Sequence, residues 1–431
     1  MNRRSLFSWA FILFAALLCS ACGGSDDSSS SSSSNTYVRL VNATQVNNLK
    51  LTVSSTTSAS GISSGSASDY ASMTAATYSA IVSVDDGSLS TSSSTSLTMS
   101  ADTYYSVVAY ARGGQIKLLI LTDTVSTPAT GFAALTIANA GTDAGNVDVY
   151  TVSPGTSVTS DMSPTFSSVS AGSSSLTNSI SAGTYDIVVT ASSKPNDVRL
   201  TMSSVTLTST EVATLTLTST SGGSLVDGAM IQQKGAVQLY PANKARVRVV
   251  AAFAAGTANP TVAASIGGTT LNSVTAPSIG TYTLVPANSS TYTVGVNGVT
   301  LGTLPSQIFA SGGDYSILVF GTDVNSASVE VLTDNNQLPS SGAKIRLING
   351  AVSTAGISLS ANYVPLFSEQ SYGTASDYVG ITTGSTLFQL TSPVTAFSSY
   401  SATVTVLSGG VYSLFVLGNT TSAIEVLSKD K

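Results

Sequence analysis

One spacing constrains this chain more than anything else in it. An opening segment occurs four times, as Val38-Arg39-Leu40-Val41-Asn42, Leu135-Thr136-Ile137-Ala138-Asn139, Val247-Arg248-Val249-Val250 and Ile345-Arg346-Leu347-Ile348-Asn349. A later segment occurs as Tyr105-Ser106-Val107-Val108, Tyr315-Ser316-Ile317-Leu318 and Tyr412-Ser413-Leu414-Phe415. From the opening Arg to the later Tyr the distance is 66, 67 and 66 residues. Self-similarity at so constant a period marks one structural unit copied in tandem. The second copy is divergent: Thr136 replaces the Arg, and Val212-Ala213-Thr214-Leu215 lacks the Tyr. A mid-unit segment (Thr77-Tyr78, Thr184-Tyr185, Thr291-Tyr292, Thr386-Leu387) and a closing one (Lys117–Ile120, Ser224–Val226, Val329–Leu332, Ile424–Leu427) complete each copy.

Between these landmarks the chain alternates apolar and hydroxyl residues, as in Val205-Thr206-Leu207-Thr208 and Leu215-Thr216-Leu217-Thr218. A period of two is the pattern of half-buried strands, and β-branched Thr and Val suit a pleated surface. Ser and Thr together number 134 of 431 residues. No apolar stripe of helical period follows residue 22. The predicted fold is all-β: four tandem immunoglobulin-like β-sandwich modules over 36–127, 133–235, 244–336 and 343–431, after a signal peptide and a Ser-rich tether. Copies of about 90 residues with six to eight strands fit a sandwich; a barrel is the weaker alternative, because nothing fixes closure. Each unit is large enough to enclose its own core, so the modules are expected to fold separately. Module two, without the Arg and Tyr, is expected to be the least stable.

The units resemble a domain of unknown function repeated in secreted and lipid-anchored bacterial proteins. The resemblance rests on Val38-Arg39 with Asn42-Ala43, on Gly183-Thr184-Tyr185, and on Gly313-Asp314-Tyr315 and Gly410-Val411-Tyr412. It covers about residues 36–430. The family carries no assigned chemistry, so it implies a fold and an extracytoplasmic setting, and no activity.

The N-terminus fits that setting. Arg3 and Arg4 precede an apolar stretch from Leu6 to Leu18, too short to span a bilayer, and Ser20-Ala21-Cys22 follows. That order resembles the lipobox of bacterial lipoproteins, with Cys19 where Leu is usual. Residues 1–21 are thus predicted to be a lipoprotein signal peptide and Cys22 the lipidated residue. Residues 22–35, with the run Ser28–Ser34, are the flexible tether. Gly23 after the cysteine resembles lipoproteins sorted to the outer membrane, which predicts a lipid-anchored protein of a Gram-negative envelope.

Composition narrows the chemistry. There is no His, and the two Cys are Cys19 and Cys22. Triad catalysis, thiolate or imidazole metal sites and a disulfide framework are therefore excluded from the body of the chain. A net charge of -6 argues against nucleic acid. No cofactor is expected, and the four Glu are too scattered to pair for glycoside hydrolysis. Asp323-Val324-Asn325 and Asp334-Asn335-Asn336 are candidate oxygen ligands for calcium, although turns favour the same residues. The Thr-x-Thr run at 206–220 reads as the wet side of a strand rather than as an ice-binding face.

Three sets of side chains remain. Arg39, Arg248 and Arg346 share one strand position and face solvent or an adjoining module; there they block edge pairing, meet a neighbour's acid, or grip an acidic polymer. The strand-start tyrosines (Tyr78, Tyr185, Tyr292, Tyr105, Tyr315, Tyr412) read as half-buried anchors whose hydroxyls bond to backbone. Asp69-Tyr70 and Asp377-Tyr378, each in Ala-Ser-Asp-Tyr on a predicted loop, are the ligand-facing candidates. The expected function is a non-enzymatic envelope scaffold or adhesion module, with carbohydrate or polymer binding as the alternative. Its expected partners are the membrane through Cys22 and an envelope protein or glycan.

Overall fold

The structure, a computed structural model, describes residues 35–84, 93–253, 259–352, 356–394, 400–419 and 423–430. Among these the chain is all-β, with two short 3-10 turns at Thr142–Ala144 and Val324–Ser326 and no α-helix. Eight sheets pack as four two-sheet sandwiches. In module one, Ala71–Thr74, Asn35–Asn42, Tyr104–Arg112 and Gln115–Thr122 form one sheet, in that order. Thr56–Ile62, Leu49–Val53, Thr77–Val84 and Ser93–Thr98 form the other. The other three modules repeat the plan. Module two adds a strand, Val237–Tyr240, so its sheet reaches past residue 235.

Pairing is antiparallel except at one place in every module. The opening strand runs parallel to the late strand: Asn35–Asn42 beside Tyr104–Arg112, Phe132–Asn139 beside Val212–Ser219, Lys244–Ala251 beside Asp314–Phe320, and Ala343–Asn349 beside Val411–Leu417. That register sets Arg39 against Ser106, Arg248 against Ser316, Arg346 against Ser413, and Thr136 against Thr214.

Inward residues of both sheets fill each core: Leu40, Leu51, Val82 and Val107 in module one, and Leu347, Leu359, Phe388 and Leu414 in module four, for example. Alternate residues of the same strands point away from the core, yet they are buried too. Val41 and Val108 pack on Ala229 and Ile231 of module two. Val250 and Leu318 of module three pack on Ile348, Phe415 and Leu417 of module four. Strands covered on both faces read as near-continuous apolar runs, which explains Val411-Tyr412-Ser413-Leu414-Phe415-Val416-Leu417, buried throughout. The modules are therefore joined face to face in two pairs, one–two and three–four. They are not isolated units on a string, because the opening, late and closing strands each carry a second apolar face that one module cannot cover.

The pairs are also tied together. Gly222 donates its N–H to Gly312 O at 3.0 Å and accepts one from Asn336 at 3.0 Å. A Cβ on Gly222 would fall 2.6 Å from that carbonyl oxygen, so this contact requires glycine. Arg112 of module one grips Asp143 of module two with two hydrogen bonds (2.9 and 2.7 Å), and Asp143 also accepts the N–H of Leu338, between modules three and four, at 2.7 Å.

Candidate functional site at the module junctions

The parallel register places an arginine beside a serine on the outward face of the opening and late strands, and the chain then adds an acid and a tyrosine. In module one, Arg39 Nε donates to Ser106 Oγ at 2.8 Å, and Ser106 Oγ donates to Asp123 Oδ2 at 2.7 Å. Tyr70 Oη donates to the same oxygen at 2.5 Å, and the guanidinium lies 4.9 Å from the Tyr70 ring centre. Module three repeats this with Arg248, Ser316 and Asp334 (2.8 and 2.7 Å) and with Tyr282 bonded to Asp334 at 2.5 Å. Module four repeats it with Arg346, Ser413 and Asp430 (3.0 and 2.6 Å), the guanidinium 4.8 Å from the Tyr378 ring.

These arginines are 2–4 % exposed. They do not shield an edge, since the opening strand lies inside its sheet and between two modules; of the readings open to them, contact with an adjoining module holds. Between modules three and four the contact is reciprocal. Arg248 Nη1 donates to Asp430 Oδ1 at 2.7 Å, while Arg346 donates to Asp334 Oδ1 and to Thr333 O. Burial pushes the Asp334 carboxyl up, but Arg346 and Arg248 outweigh it and hold it below the ordinary carboxylate range. The backbones approach closely here. A Cβ on Gly350 would meet the Ala252 methyl at 2.6 Å, and one on Gly373 would enter the Phe320 ring.

Between modules one and two the contact is one-sided. Arg39 Nη1 and Nη2 donate to the carbonyls of Gly235 (2.7 Å) and Gln232 (2.8 Å), and no acid of module two answers. Module two carries Thr136, Thr214 and Gln233 at the Arg, Ser and Asp positions. Gln233 instead exchanges two hydrogen bonds with the Val125 backbone, at 3.1 and 2.8 Å. Stacked Tyr37 and Tyr104 (4.4 Å) and Lys234, 3.6 Å from the Tyr104 ring, flank this junction.

Tyr70 and Tyr378, read from the sequence as ligand-facing, turn inward onto the arginines, and burial is the main cause raising both phenol pKa values. Their neighbours Asp69 and Asp377 stay exposed. Sequence reasoning missed Tyr282, which follows Gly280-Thr281 instead of Ser-Asp, missed Asp123 and Asp430, and read Asp334 as a candidate calcium ligand instead of an arginine partner. A signal was available: Ser to Asp is 17, 18 and 17 residues, as regular as the Arg-to-Tyr interval.

The strand-start tyrosines are anchors. Tyr78, Tyr185 and Tyr292 donate to the backbone carbonyls of Thr74, Ser181 and Pro305 at 2.6–2.8 Å. Tyr105, Tyr315 and Tyr412 accept the N–H five residues back at 2.9–3.0 Å. Module two lacks that hydroxyl, and Glu211 Oε2 accepts the equivalent Thr208 N–H at 2.7 Å. Its core is correspondingly complete, from Ala133 on the opening strand to Met202 and Met230, so nothing in its packing marks it as the weak unit. The calcium candidates have other employment: Asp323 caps the 3-10 turn, Asp334 belongs to the arginine cluster, and Asn336 donates to Asp314. Among the described residues no cluster of three or more His, Cys, Asp or Glu is placed to hold a metal ion. Cys22 lies outside the described residues. No helix among them is long and apolar enough to cross a membrane.

A family model described as "Domain of unknown function (DUF4397)" matches residues 33–150, module one and the first strands of module two. No curated protein matches the chain. Among solved structures it is similar to a "putative cell adhesion protein" from Bacteroides uniformis ATCC 8492, 12% identical over 48% of this chain and 98% of that one, with a TM-score of 0.23. It is also similar to the Bacillus anthracis TIE protein, 8% identical over 89% and 67%, with a TM-score of 0.15. At these TM-scores neither likeness bears on function.

Proposed function

We propose that the chain is a non-enzymatic, lipid-anchored envelope protein of the outer membrane, in which four sandwiches clasp in pairs to form a scaffold or adhesion stalk. The reciprocal exchange of Arg248 and Arg346 with Asp430 and Asp334 carries this reading. The repeated polar residues of the chain meet one another instead of a cleft: each serine bridges an arginine and a carboxylate. Such a cluster fixes the orientation of one module on the next, as buried charge pairs can. The signal-like segment, Cys22 and the serine tether would then hold the assembly off a membrane. Fractionation of cells tests the anchor. Wild type should sediment with outer membranes and carry lipid on Cys22, and Cys22→Ser should be released; unmodified Cys22 on wild-type protein contradicts it. Glycan arrays probe the alternative partner class, for which exposed Asp69 and Asp377 are the residues to replace.

A further inference from the structure

The junction of modules two and three holds a cavity of about 180 Å³ unconnected with the arginine clusters. Val198, Leu200, Leu225 and Leu284 give it apolar walls, and Arg199 and Lys244 also line it, with no carboxylate on the lining. The Arg199 side chain is only 10% exposed. Two of its nitrogens are used, Nη1 donating to Ser224 O at 2.9 Å and Nη2 to Asp197 at 2.7 Å. Its Nε–H is buried and has no partner among the described residues. Buried donors are nearly always satisfied, so such a group marks a place for an acceptor. Lys244 is exposed and makes no ion pair among the described residues. Burial lowers the Arg199 pKa, and nearby Arg246 lowers it further, against the pull of Asp197 and Asp314.

We infer that this cavity binds a small amphiphilic carboxylate, its head on Arg199 and Lys244 and its short apolar tail among Leu200, Leu225 and Leu284. The size fits: a dry cavity of ~150 Å³ accepts benzene, so a tail of about five carbons is accommodated. Apolar walls with a few convergent polar groups are the usual make-up of a ligand site.

The test is calorimetric titration of the purified full chain with hexanoate, with acetate and 1-hexanol as probes lacking the tail and the charge. Hexanoate should bind saturably and raise the melting temperature. Acetate and 1-hexanol should bind about tenfold more weakly or worse. Arg199→Gln should weaken hexanoate about tenfold, and Lys244→Gln, on the surface and safe for folding, several-fold. Leu284→Trp should fill the cavity and abolish binding. Absence of saturable hexanoate binding to wild type, equal binding of 1-hexanol, or full affinity in both Arg199→Gln and Lys244→Gln overturns the inference.

Discussion

The junction of modules three and four and the junction of modules one and two are built on the same strands and differ in what answers the arginine. At the first, each module offers an arginine and an aspartate, and each arginine crosses to the other's aspartate. At the second, Arg39 crosses alone and meets two carbonyls. The apolar seam is kept in both, by Val250, Leu318, Ile348 and Phe415 in one and by Val41, Val108, Ala229 and Ile231 in the other. Apolar burial is non-directional, so the seam supplies cohesion, while the charges specify which module pairs with which and at what angle. One copy can therefore lose its charges, as module two has, provided its neighbour's guanidinium still finds acceptors.

The largest expected effect follows from Asp334, which serves Arg346, Ser316 and Tyr282 at once. Asp334→Ala leaves the buried Arg346 guanidinium without its acid, while Arg248 keeps Asp430, and should cost about 3–5 kcal/mol in denaturant unfolding of modules three and four. Arg39→Met at the other junction removes a cation whose partners are mostly neutral, and should cost less, about 2 kcal/mol. Equal losses would mean that the charges do the same work at both junctions.

Acid should separate the junctions as well. The Asp334 carboxyl is held below the ordinary range in the folded state, so its stabilisation is complete above about pH 4 and is lost as pH falls through the lower folded value. Melting followed from pH 6 to pH 2 should show the three–four pair weakening below about pH 4, and Asp334→Asn should flatten that fall. Smaller still, Glu211→Ala and Tyr105→Phe remove equivalent acceptors for one backbone N–H and should each cost about 1 kcal/mol by chemical denaturation.

The smallest effect has the opposite sign. Burial pushes the Lys344 ammonium from 10.5 down to about 8, against the attraction of Asp143. The folded state thus disfavours the proton, a penalty fully present below about pH 8 and gone above the unfolded value of 10.5. Lys344→Met should stabilise at pH 7 by ~1 kcal/mol or less, since the site is half open to solvent screening, and should have no effect at pH 11.

Much of this was legible in residue order. Alternating apolar and hydroxyl residues gave the strands, and the Arg-to-Tyr interval gave the repeat. The buried reverse face was legible only in part. Val38–Val41 and Val411–Leu417 are apolar at consecutive positions, the mark of strands covered on both sides, but Arg39 and Ser413 among them read as a wet face. What order cannot show is that the register sets Arg against Ser, or that the acid for Arg346 lies on another module. Tyr70 and Tyr378 looked like loop residues because Asp69 and Asp377, beside them, belong to the surface; neighbours along a chain need not share a face. The Arg199 cavity left no pattern at all, because its walls come from the Val198–Thr201 strand, Leu225, the link to module three and Leu284.

Residue-resolved hydrogen exchange on the full chain reaches the pairing of modules three and four most directly. Reciprocal clasping predicts that Lys244–Ala251 and Ala343–Asn349 open with one common free energy, and that Asp334→Asn lowers protection in both strands together. If the substitution loosened Lys244–Ala251 alone, with Ala343–Asn349 as protected as before, the two modules would be independent and the clasp would be contradicted.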